Sequence, residues 1–126
     1  MTVTVSHDAL LTRADKARAA ASDHDVDRLQ REVGALLDGF VAHVEQERPQ
    51  LRHLSSFSAR MVERGQERLL AELVALLAEV EDEATVDICR CERRCGEIVV
   101  QLALQTDAER RTFTRAGLVA SLASDR

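Results

Sequence analysis

The chain has 126 residues, which suits one domain spanning 1–126 and suffices to bury a core without disulfide or metal staples. Hydrophobic residues at 45% and charged residues at 31% exclude an intrinsically disordered chain, and a formal charge of −5 at pH 7 argues against nucleic-acid and anionic-membrane partners. No apolar run approaches the roughly 20 residues of a membrane span. The opening Met1-Thr2-Val3-Thr4-Val5 lacks the basic head and apolar core of a signal peptide, so a cytoplasmic location is expected.

With three Phe, no Trp and no Tyr, the core must be built from Leu, Val, Ala and Ile, which suits close helix-on-helix packing. Ser6 is placed to cap a first helix, with Asp8 in its first turn where the helix dipole favours an acid. Its inward face carries His7, Leu10, Leu11, Ala14 and Ala17, and Ser22 and Asp23 punctuate its end. In the second helix, Val26, Leu29, Val33, Leu36, Phe40, His43 and Glu47 recur at spacings of three and four, the seam of a helix packed along its length. Pro49 predicts its end at Arg48, since the residue before proline avoids helical angles.

Gln50 to Phe57 is polar and serine-rich and reads as a connection. A third helix follows with Val62, Gln66, Leu69, Leu73, Leu76 and Val80 in register, closed by Glu81-Asp82-Glu83. A fourth carries Ile88, Cys91, Cys95, Ile98, Leu102 and Gln105. Thr106 with Glu109 three residues on has the form of a capping box, which predicts a break and a short fifth helix touching the bundle through Phe113, Leu118, Val119 and Leu122. The expected fold is all-α: an up-down-up-down four-helix bundle with a short C-terminal fifth helix.

The residues that carry chemistry are those that interrupt the apolar seams. His43 and Glu47 stand one helical turn apart and project into one region of the core. A buried carboxylate is costly unless paired or metal-bound, and bundle metal sites are assembled from such pairs. The alternative is that the two bond each other at a half-solvated helix end. His7, near the start of its helix, meets the end of the second helix if the two are antiparallel, and three converging ligands make a metal site conceivable.

An inward His7 followed by His43-x-x-x-Glu47 with a proline shortly after resembles the hemerythrin-like, or HHE cation-binding, family. The stretches Gly65-Gln66-Glu67-Arg68-Leu69-Leu70 and Ala71-Glu72-Leu73 are similar to that family's third helix, and the likeness covers about His7 to Gln105. The resemblance implies a non-haem di-iron centre held by histidines and bridged by two carboxylates, with oxygen or nitric oxide binding or iron sensing as its use. His7, His43 and Glu47 match. Gln66 stands where the family has a third-helix histidine, and the family's fourth-helix histidine and carboxylate align with Gln101 and Gln105. A glutamine amide cannot replace imidazole as a donor, and one carboxylate does not balance two ferric ions. The expectation is therefore at most one iron or similar ion on His7, His43 and Glu47, in a binding or sensing role, with the glutamines free to form a polar network. A small diatomic ligand, a protein partner or a homo-oligomer is compatible with this, though no Trp marks an oligomer surface.

Two other readings stay open. A metal-free interaction or regulatory bundle would keep the same residues as a polar core. A redox or soft-metal protein would work through Cys89, Cys91 and Cys95; here Cys91 and Cys95 lie on the inward seam, where cysteines also serve as small hydrophobes. Arg90, Arg93 and Arg94 make Cys89 the candidate reactive thiol. His24 and His53 fall in connections. No Gly-rich phosphate loop or G-x-S-x-G elbow occurs, so nothing argues for a hydrolase or transferase.

Overall fold

A computed structural model describes residues 5–82 and 84–124, with side chains described as far as Gly117. It has four helices: α1 (His7–Ser22), α2 (Val26–Leu51), α3 (Ser56–Glu81) and α4 (Ile88–Ser124). No strand occurs among the described residues. Each start is capped as its sequence demands. The side chains of Ser6, Asp25 and Ser55 accept hydrogen bonds from the backbone of Ala9, Arg28 and Ser58, and Asp87 accepts from Arg90.

Each helix lies alongside two others, α1 and α3 each between α2 and α4. Cross-helix bonds fix the directions. The Gln30 amide near the start of α2 donates to the Val80 carbonyl near the end of α3. Arg94, early in α4, bonds Glu79, late in α3, whereas Gln105 further along α4 reaches Val62 near the α3 start. Neighbours therefore run antiparallel. The interior is an almost wholly aliphatic stack led by Leu10, Leu29, Leu36, Phe40, Leu73 and Leu76, with Ala14, Ala17, Ala20 and Ala21 letting α1 sit close. Truncating any of these leucines to alanine should cost about 2–5 kcal/mol, because so tight a core collapses only partly around the gap.

The turn between α1 and α2 is made by His24, at φ 54°, the left-handed conformation usually given to glycine. Its geometry lets Asp25 N–H bond the Ala20 carbonyl at 3.0 Å, closing α1 before Asp25 itself caps α2.

Two expected boundaries shift. α2 does not stop at Arg48 but runs through Pro49 to Leu51. In the last turn a proline forfeits a single backbone bond, and carrying the helix on buries Leu51. More consequentially, no break occurs at Thr106 and no separate fifth helix forms: α4 is continuous for 37 residues. Ile98, Leu102, Thr106 and Glu109 are all buried and continue one seam, so Thr106 and Glu109 face the bundle interior rather than capping a new helix. Phe113 is half-buried, while the side chains of Leu118, Val119 and Leu122 lie outside the described residues. No helix is long and apolar enough to cross a membrane, among the described residues.

Candidate metal centre

The antiparallel arrangement brings the first residue of α1, the last third of α2 and the middle of α4 to one level of the bundle. His7, His43 and Glu47 converge there, as the sequence predicts. Glu109 joins them. Each offers one ligating atom, and the four atoms all lie within 4.8 Å of one another.

Around the cluster, His7 Nε2 is 2.6 Å from Glu109 Oε2 and 3.5 Å from Glu47 Oε1. His43 Nε2 is 2.9 Å from Glu47 Oε1 and 3.8 Å from Glu109 Oε2, and the two imidazole Nε2 atoms are 3.1 Å apart. Ligands about 2.1 Å from one ion stand about 3.0 Å apart at right angles and about 3.4 Å apart in a tetrahedron. The observed separations bracket both values. The donor set, two imidazole nitrogens and two carboxylate oxygens, suits a first-row divalent ion, and its two negative charges balance the ion's two positive ones.

The surrounding groups aim these atoms. Nδ1 of His43 lies 2.9 Å from the Val5 carbonyl, which can only accept, so Nδ1 carries a proton and Nε2 turns to the cluster. Val5 is held in turn by its own N–H, which donates to Gln46 Oε1 at 3.0 Å. The outer carboxylate oxygens are engaged separately. Gln66 Nε2 donates to Glu47 Oε2 at 2.9 Å and to Glu109 Oε1 at 3.0 Å, and Gln105 Nε2 donates to Glu109 Oε1 at 3.1 Å. Gln105 can lie here because residue 65 is glycine; a Cβ at Gly65 would collide with its amide.

Burial is deep on one side and open on the other. Glu109 is 1% exposed, His43 6% and Glu47 7%, whereas the His7 side chain is 19% exposed. A cavity of about 280 Å³ opens on the cluster, lined in part by Ser6, His7, His43, Gln50 and Arg110.

Electrostatics follow this geometry. Burial works against a charge on His43, but the Glu109 and Glu47 carboxylates and the Val5 carbonyl outweigh it and push its pKa up to about 10. Burial likewise opposes ionising Glu109, yet His43, His7 and Gln105 outweigh it and hold the carboxyl down to about 2. The cluster thereby pairs a cationic His43 with an anionic Glu109. Its flaw is the contact between the two Nε2 atoms, into which only one can donate. A cation at the focus of all four atoms would remove that conflict.

Of the two helix-four glutamines aligned with the site, Gln105 reaches it and Gln101 does not, while Glu109, one turn beyond Gln105, joins the cluster. Glu109 also overturns the expectation of a single carboxylate. Its signal was the three-and-four spacing running on past Leu102, obscured because Thr106 and Glu109 also satisfy the capping-box pattern. Gln101 faces Glu72 instead, at 3.3 Å, and its buried Oε1 has no partner among the described residues. His24 and His53 are exposed and stand apart. Cys89, Cys91 and Cys95 are free thiols, the last two buried. Burial pushes the Cys91 thiol up, and the Cys95 thiol up to about 11, so both behave as small apolar fillers. Among known proteins, no family profile, curated protein or solved structure matches the chain.

Proposed function

We propose that this protein is a hemerythrin-like metal-binding bundle that holds one first-row divalent ion, iron by its resemblance, through His7, His43, Glu47 and Glu109, in a binding or sensing role. The observation that carries this reading is the convergence of four ligating atoms, from three helices, within 4.8 Å. Backbone and amide groups orient them as an outer shell orients metal ligands. The cavity beside the cluster would leave room for a small diatomic ligand to approach a bound ion.

Metal analysis of protein purified from iron-supplemented medium tests the proposal. One ion per chain is expected, lost in His43→Ala and in Glu109→Ala, with a melting temperature that falls on chelation. Chelation without effect and no metal in the purified protein would overturn it. The mutual support of His43 and Glu109 favours a second reading, a metal-free bundle whose polar layer fixes helix register for a regulatory or interaction role. The buried cysteines do not favour a third: Cys91 and Cys95 offer no ready thiolate, and among the described residues no cysteine joins the metal-binding group.

A further inference from the structure

We infer that Gln66 and Gln105 set the number of ions at one, by filling with amide groups the place where a second cation would bind. The inference rests on the metal-binding reading above and deepens it.

Glu47 and Glu109 each have an inner and an outer oxygen. The inner pair faces the two imidazoles. The outer pair, Glu47 Oε2 and Glu109 Oε1, meets at one atom, Gln66 Nε2, at 2.9 and 3.0 Å. Two carboxylates thus span two neighbouring loci, one ringed by imidazole nitrogens and the other occupied by an NH₂ group. That group has two hydrogens, one for each carboxylate, and no capacity left over. Its orientation is forced, since turning the amide over would set its oxygen against two anionic oxygens. Gln105 adds a further donor to Glu109 Oε1 and bonds the Val62 carbonyl at 3.3 Å.

The second locus therefore carries hydrogen-bond donors where a cation needs lone pairs. One turn on from Gln66 stands Leu70, which has no donor atom to offer. Charge points the same way: one divalent ion already balances both carboxylates, and a second would leave two positive charges uncompensated in a largely buried layer. Glutamine at these two positions is in this view a determinant of nuclearity, and it retains both carboxylates in the orientation that the single ion requires.

Anaerobic titration with Co(II), followed by its visible absorption and by metal analysis after gel filtration, tests this on the full chain. The wild type should reach its end point at one equivalent. The double variant Gln66→His/Gln105→His should reach two, with new absorption from the second ion. Gln66→Glu, nearly the same size as the native side chain, guards against a folding failure of the double variant and should also take up a second equivalent. Two equivalents in the wild type would overturn the inference while leaving the metal-binding reading intact, as would variants that are folded by circular dichroism and stop at one. No uptake by the wild type would overturn both.

Discussion

His43 Nδ1 and the Val5 carbonyl oxygen, 2.9 Å apart, join the middle of the bundle to the residue that precedes the N-cap of its first helix. A backbone atom thereby decides which imidazole nitrogen is offered to the cluster. Because Val5 is itself held by Gln46, removing that acceptor should loosen the imidazole without touching a ligand. Gln46→Leu is expected to weaken metal affinity up to about tenfold, the low end for groups outside the ligand set. Competition with a chromogenic chelator would measure it, and an affinity equal to wild type would contradict the tether.

Metal uptake should release a proton at neutral pH. His43 is held up to about 10 and must lose its Nε2 proton to bind an ion. Between pH 7 and 9 apparent affinity should then rise about tenfold per pH unit. Titration in buffers of different ionisation enthalpy would count the proton, and a pH-independent affinity would show that His43 is already neutral in the metal-free protein.

Metal-free protein should have a stability plateau set by the same pair. The folded pKa of His43 is raised from 6.5 to about 10, so its contribution is complete below 6.5 and is lost as pH rises through about 10. The folded pKa of Glu109 is lowered from 4.5 to about 2, so its contribution is complete above 4.5 and is lost as pH falls through about 2. Urea denaturation in chelator should therefore give the highest stability between pH 4.5 and 6.5. Glu109→Gln should flatten both flanks.

Two helical glycines should respond oppositely to alanine. At Gly34 a Cβ meets nothing within 4 Å, and Gly34→Ala should stabilise by about 0.5–1 kcal/mol through helix propensity. At Gly65 a Cβ would strike the Gln105 amide. Gly65→Ala should cost about 1–3 kcal/mol and loosen the hold on Glu109. Denaturant midpoints at pH 7 separate the two.

The turn offers a further test. His24 carries a left-handed backbone with an exposed side chain. His24→Gly should raise stability by up to about 1 kcal/mol, visible as a few degrees in melting temperature.

Much of this architecture could be read from spacing. The seams of α2 and α3 are as predicted, down to the burial of His43, Glu47 and Gln66 among aliphatic residues, because long helices with one apolar stripe leave few alternatives. Pro49 misled because local backbone preference, sound for a helix interior, is overruled in a final turn that buries Leu51. Glu109 was hidden for a different reason. Threonine followed three residues later by glutamate signals a helix start only where the chain has reason to stop, and no Gly or Pro separates Ile98 from Ala116. That Gln66 would join a polar network was legible, but its partners were not, since they are two carboxylates from different helices meeting at one nitrogen.

The candidate ligands His7 and Glu109 are separated by 102 positions, so nearly the whole polypeptide lies between them. An ion gripping both would act as a clasp across that span, comparable with a covalent cross-link closing a loop of similar size, for which chain entropy gives at most about 4.7 kcal/mol. A nascent chain cannot complete the clasp until the middle of α4 has left the ribosome and docked. Loading with metal would then report that α4 has docked.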